Sequence, residues 1–345
     1  MMHQITKWLA LIGLAFFISS CSDPTPKTKL VLVQGKTMGT YYQVTMALNE
    51  QQQLDAAYKI SAIQVEIDKQ LELVNDQMST YRPDSELSRF NKAKETLEVS
   101  PATAYVVKAS LALFNQSNGA FDVTVGPLVN LWGFGPDKKP IKVPSDETIK
   151  KRQQWVGSQY LGVRDNTLYK AKPELYVDLS SIAKGYGVDV VAQYLESRGI
   201  NDYLVDIGGE LRAKGVKPQN EQWMLAIERP NIGQNVQRLL QIGDNAIATS
   251  GDYRNYYEFD GIRYSHTIDP KTGKPINHKL VSVTVIHESS MMADGLATVI
   301  SVLGPEEGLT FAKQQKLAVF LLVKQGDEYI EQFTAEFKPY LFEEK

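Results

Sequence analysis

Residues 249–277 read TSGDYRNYYEFDGIRYSHTIDPKTGKPIN, and two turn signals inside them decide what kind of sheet this chain builds. Asp260-Gly261 stands between Tyr256–Phe259 and Ile262–Ser265, two short runs rich in aromatic and β-branched residues. A two-residue type I′ turn needs positive φ at both central positions, which Asp-Gly tolerates, so the stretch predicts an antiparallel hairpin. Asp269-Pro270-Lys271-Thr272-Gly273 forces a second turn, because Pro270 fixes φ and Gly273 supplies a positive-φ position. His266 therefore falls on or just beyond the returning strand, beside a constrained loop of the kind that carries chemistry.

Outward from the hairpin, residues 30–33 and 41–48 read as strands, and Ile60, Ile63, Ile67, Leu71 and Val74 recur at three- and four-residue steps that mark a helix burying one face. A second helix follows Pro101 and ends near Asn118-Gly119, where a left-handed cap favours glycine. A third covers 180–198 and stops at Gly199. Further strands are expected at 203–207, 223–227, 246–249, 281–286 and 317–323, with a helix over 291–303 that stops at Gly304-Pro305. Strand pairs mix with single helices and no regular βαβ alternation appears, so the expected class is α+β, with mixed, largely antiparallel sheets and packed helices. The charged, Pro-rich 136–144 stretch is either a boundary between two lobes or an ordinary exposed loop.

Residues 1–20 carry Lys7, an apolar run from Trp8 to Ile18 and then Ser19-Ser20 before Cys21. This is the layout of an export signal, and the apolar run is far shorter than the roughly 20 residues that span a bilayer. Cys21 closes it as the cysteine closes the lipobox of bacterial lipoproteins, although Ile18 and Ser20 depart from the commoner leucine and smaller residue. Residues 21–29 then form a polar, Pro-stiffened tether, and 30–345 the main domain. Cys21 is the only cysteine, so the mature chain has no disulfide and must be stabilised by burial. Without residues 1–20 the chain keeps 36 basic against 40 acidic residues, which argues against nucleic-acid binding.

The chain has four histidines; once His3 leaves with the signal, only His266, His278 and His287 remain. Residues 178–187, DLSSIAKGYG, lie ahead of and into a helix; free N–H groups, small residues and Lys184 make a phosphate seat, while plain capping by Asp178 or Ser180 explains them equally well. Gly185-Tyr186-Gly187 lacks the third glycine of a dinucleotide fingerprint. Asp294 and Thr298, four apart on a helix, present oxygens on one face, as a hard cation requires. Capping by Asp294, with Thr298 bonding back to a carbonyl, accounts for the same pair. Met38, Tyr81, Phe121 and Trp132 are soft or flat apolar groups able to flank an aromatic ligand, although a core role is the usual explanation for any one of them.

Taken in order, MSTYRPDSELSRFN from Met78, DVTVGPLVNLWGFGP from Asp122, DLSSIAKGYGVD from Asp178, the 249–275 stretch and ADGLAT from Ala293 resemble the ApbE family of flavin transferases. The resemblance covers roughly residues 35–335. It implies an ApbE-like, T-fold-related architecture and an exported, lipid-anchored enzyme on the periplasmic side of a bacterial envelope. The implied reaction is Mg²⁺-dependent transfer of the FMN half of FAD to a Thr or Ser hydroxyl of an acceptor protein, with AMP as the other product. The acceptors it implies are subunits of membrane electron-transfer complexes. The residues it implies for FAD are Met38, Tyr81, Ala120, Phe121, Asp122, Asp178, Lys184, His266 and Ile268, the last two on one strand. For Mg²⁺ it implies Asp294, Thr298 and an oxygen of Ser181, its backbone carbonyl. His266 would take the proton of the incoming hydroxyl, Asp269 is a candidate to orient the ring, and Lys184 would add charge near the phosphates. The rival readings are a metal-dependent FAD pyrophosphatase on the same scaffold and a non-catalytic flavin-binding lipoprotein.

Overall fold

The computed structural model describes residues 28–342 apart from 138, 139, 141, 230–235, 252–255 and 327. The expected export signal, Cys21 and the tether up to residue 27 lie outside the described residues, as do three positions of the 136–144 stretch. Eight strands make one sheet whose order follows the chain: Lys29–Thr37, Thr40–Leu48, Tyr203–Ile207, Glu210–Lys214, Ala246–Gly251, Leu280–His287, Ala318–Gln325 and Glu328–Phe333. Every neighbouring pair is antiparallel, as the α+β reading expects.

Side-chain alternation decides which face is covered. Tyr42, Val44 and Met46 pair in register with Ile207, Val205 and Tyr203, and all six are buried. They meet Ile63, Ile67 and Leu71 of the Ile60–Met78 helix and Val188, Val191 and Leu195 of the Ala183–Ser197 helix. Further along the sheet, Val283 and Val285 face Leu296, Val299 and Ile300 of the Ser290–Gln314 helix. Ile286, Phe320 and Leu322 point the other way and are covered by Trp223, Leu225 and Ile227 around the Met224–Glu228 and Val236–Gln241 hairpin. Strands buried on both faces read as continuous apolar runs, which is why 281–286 and 317–323 were legible.

The expected turns form as written. Asp260 and Gly261 take φ of 50° and 75° between the paired Tyr256–Phe259 and Ile262–Ser265 strands. Gly273 takes φ 70° and donates its N–H to the Asp269 carbonyl at 2.8 Å. The helix after Pro101 ends at Gln116, with Asn118 and Gly119 left-handed. Other elements escaped the sequence reading: the helices Glu86–Lys92, Gly126–Leu131 and Asp146–Gln153, and a small sheet of Thr96–Glu98, Thr167–Lys170 and Leu161–Arg164. Leu161 and Leu168 of that sheet join the same buried cluster as Val283 and Leu321.

Gly304-Pro305 does stop a helix, but a second one starts at once, so helical structure runs on to Gln314. Gly304 takes φ 78°, and Pro305 has no N–H to return to the Ser301 carbonyl four residues earlier. His278 fills the gap, its Nε2 lying 2.7 Å from the Ser301 carbonyl oxygen. Since a carbonyl only accepts, that nitrogen carries the proton. Among the described residues no helix is long and apolar enough to cross a membrane.

Candidate active site

A cavity of about 1670 Å³ opens where the first hairpin, the loop after the Ile60–Met78 helix, the two helix starts and the 266–270 turn converge. It exceeds the roughly 300–1,000 Å³ usual for drug-sized ligands and has room for a dinucleotide. Met38, Tyr81, Ala120, Phe121, Asp122, Asp178, Ser181, Lys184, His266, Ile268, Asp294 and Thr298 all line it. Every residue singled out for FAD or Mg²⁺ in the sequence is thus brought to one space. Trp132 does not line it: it is buried, stacks on Tyr264 and donates its indole N–H to the Gly273 carbonyl at 2.9 Å.

Met38 reaches the cavity because it is the first residue of a tight turn, left-handed at φ 48° with Gly39 at 72°. Tyr81 is 63% exposed, and its hydroxyl donates to the Phe134 carbonyl at 3.1 Å, which holds a flat face toward the opening. His266 lies just past the Ile262–Ser265 strand, not on one strand with Ile268, which pairs separately with Pro275. A ladder of rings fixes the neighbourhood: Trp132 on Tyr264, Tyr264 on Tyr257, Tyr257 against Phe134, and Phe134 edge-on to His266 at 6.4 Å. The Asp269 carboxylate caps its own turn by accepting the Lys271 N–H at 2.8 Å.

Two of the acids turn inward. Asp122 Oδ1 accepts from the Thr124 N–H and hydroxyl and the Ser158 hydroxyl, and Oδ2 from the Ser158 N–H. It staples the cavity wall to Ser158, while the Thr124 hydroxyl accepts the Gly157 N–H at 2.7 Å. Asp178 Oδ1 accepts the Ser180 N–H at 2.9 Å and its hydroxyl at 2.5 Å, a local turn ahead of the helix, which begins at Ala183 and not at Ser180.

The charged heart of the site is a buried cluster. Lys184 Nζ lies 2.6 Å from Glu210 Oε2, so its charge is shared with an acid and is not held free for a phosphate. Burial alone would push this ammonium down; Glu210, Asp294 and Asp206 together push it up. Burial raises Glu210 to about 7 against the pull of Lys184, and raises Asp294 against Lys184 and the Gly185 N–H. Asp294 does not cap its own helix, whose cap is Ser289; its Oδ2 accepts the Gly185 N–H of the other helix at 3.0 Å. Sequence reasoning gave Glu210 no role, because a Gly-Gly-Glu turn carries no sign of the ion pair it will make.

Among the described residues no three His, Cys, Asp or Glu side chains are grouped to hold a metal. A cation here would rest on Asp294, the Thr298 hydroxyl and a Ser181 oxygen, with the rest of its shell from a bound ligand and water. That set suits Mg²⁺, which takes few protein oxygens and keeps waters. Glu210, Asp294 and Asp206 stand around one ammonium, and a bound cation would favour the ionised form of the acids that burial pushes toward protonation.

A family model described as the ApbE family matches residues 38–321. The chain is 50% identical to the FAD:protein FMN transferase of Vibrio cholerae serotype O1, across 97% of this chain and 98% of that protein. It is 40% identical to the Escherichia coli K12 protein of the same name, across 98% of each. The solved structure of the flavin transferase ApbE from Vibrio cholerae superposes with a TM-score of 0.84, covering 91% of this chain and all of that one. The ApbE protein of Thermotoga maritima, 27% identical, still gives 0.81, covering 91% of this chain and 100% of that one. The chain belongs to the ApbE family.

Proposed function

We propose that this protein transfers the FMN half of FAD to a Thr or Ser hydroxyl of an acceptor protein, with Mg²⁺, releasing AMP. The observation that carries this reading is the convergence on one dinucleotide-sized cavity of a histidine and, from two helix starts, the oxygens of Ser181, Asp294 and Thr298. The names of the relatives support it. In the reaction the acceptor oxygen bonds to the phosphorus of the FMN phosphate, the bond from that phosphorus to the bridging oxygen breaks, and AMP departs with that oxygen. His266 accepts the hydroxyl proton. Mg²⁺, when bound, would neutralise pyrophosphate charge. Met38 and Tyr81 offer apolar and flat surfaces to the rings of FAD, while Ala120, Phe121, Asp178 and Ile268 form the nearby wall, with Phe121 packed into the core behind it. Asp122 holds that wall rather than the ligand. Lys184 contributes a positive charge tempered by Glu210.

Residues 1–20 are read as the export signal, Cys21 as the lipidated residue, 21–29 as the tether and 30–345 as the transferase domain, anchored on the periplasmic side. Subunits of membrane electron-transfer complexes would then meet the enzyme at the same surface, where tethering raises their effective concentration. Incubating the protein with FAD, Mg²⁺ and such a subunit, then weighing the subunit, tests the reading: the added mass of FMN supports it, and an unmodified subunit contradicts it.

A further inference from the structure

The starts of the two site helices cap each other. Gly185, in the first turn of the Ala183–Ser197 helix, donates its N–H to Asp294 of the Ser290–Gln314 helix. In return Asp189, one turn further along the first helix, accepts the Ser290 N–H on Oδ1 and the Met291 N–H on Oδ2, each at 3.0 Å. The Ser289 hydroxyl adds a bond at 2.7 Å and Arg212 Nη1 another at 2.7 Å. The Asp189 carboxylate is thereby used on all sides and is only 5% exposed. Backbones touch at the crossing, since a Cβ on Gly185 would lie 2.3 Å from the Ser290 carbonyl oxygen.

Ser289 caps its own helix by accepting the Met292 N–H at 3.3 Å, which leaves the buried Ser290 and Met291 N–H groups to the Asp189 carboxylate. Because the carboxylate that satisfies these donors comes from another helix, it also fixes register between the two helices. Asp294 lies one turn past Ser290, and Ser181 lies just before the helix that carries Asp189, so the Asp189 bonds set where the oxygens of one helix stand relative to those of the other. A negative group at the helix start also complements its dipole.

We propose that Asp189 is a positioning residue that holds Asp294 and Thr298 in cation-binding register with Ser181. This rests on the Mg²⁺ reading given above. Asp189→Asn keeps the shape but turns an amide toward backbone N–H donors, and so breaks part of the cross-cap. The test is calorimetric titration of Mg²⁺ into the FAD-loaded, acceptor-free protein, with FAD affinity and melting temperature measured alongside. The expected result is a Mg²⁺ Kd raised up to about tenfold, the lower end of what losing a direct outer partner of a ligand costs, because Asp189 acts on Asp294 through the helix turn at Ser290 and Met291, with FAD affinity unchanged. A folded Asp189→Asn variant that melts earlier but binds Mg²⁺ as tightly as the wild type would overturn the proposal and leave Asp189 a cap. Should Asp189→Asn not fold, Asp189→Glu, which keeps the charge but shifts the carboxylate by one methylene against the Ser290 and Met291 N–H groups, is expected to raise the Kd in the same direction, and an unchanged value in the folded variant would overturn the proposal equally. Wild-type protein that binds no Mg²⁺ would instead sink the metal reading itself, and this proposal with it.

Discussion

The Asp294 carboxylate accepts the Gly185 N–H at 3.0 Å, so one side chain closes the first turn of a neighbouring helix while facing the cavity. The two jobs are separable. Asp294→Asn retains an oxygen for Gly185 and should fold with stability within about 1 kcal/mol of wild type, whereas Asp294→Ala loses the cap at about 0.5–2 kcal/mol. Both should lose Mg²⁺-dependent turnover, because a neutral amide is a poor magnesium ligand. Wild-type Mg²⁺ dependence in the Asn variant would leave Asp294 a cap only.

Asp122 should behave as a structural acid. Truncation to alanine strands donors from Thr124 and Ser158 in a buried place, which costs about 2–4 kcal/mol in total. Denaturant unfolding would measure the loss. A variant as stable as the wild type but unable to bind FAD would move Asp122 from the wall to the ligand.

Glu210 gives the Mg²⁺-free protein a pH signature. Its ordinary pKa of 4.5 rises to about 7 in the fold, chiefly through burial. The folded state therefore holds a proton that the unfolded chain has released between those values, and Glu210 destabilises the fold progressively as pH climbs through that window. Lys184, Asp294 and Asp206 face the same cluster. Glu210→Gln removes the titration, so the stability of wild type relative to this variant should fall from pH 4.5 to 7. A pH-independent difference would show that Glu210 enters the fold already ionised.

His266→Ala should slow FMN transfer by roughly 10² to 10⁴, the usual worth of a positioned base, while FAD still binds through the rest of the cavity. Single-turnover kinetics beside an FAD binding curve would separate the two. Undiminished transfer would reduce His266 to part of the wall.

Elements governed by local rules were legible in the sequence. The Asp260-Gly261 hairpin, the Gly199 helix stop and the 203–207 strand all follow from turn chemistry or alternation within a few residues. The short Glu86–Lys92 and Asp146–Gln153 helices were not, because each buries too few residues to impose a period. The site residues were found through motif resemblance, but their bonding was not. Asp294 could be read as a cap of its own helix or as a ligand; capping a helix more than a hundred positions away depends on a crossing that only tertiary structure supplies. The Lys184–Glu210 pair was hidden for the same reason.

The most direct test follows AMP release and the mass of a purified acceptor subunit together, with FAD and Mg²⁺ present and with acceptor included or omitted. A hydroxyl held in line beside the phosphorus outcompetes loosely ordered water, so AMP should form rapidly only with acceptor and match the FMN gained mole for mole. Fast AMP production without acceptor, with no labelled protein when it is present, would contradict the transferase account and make the protein a pyrophosphatase.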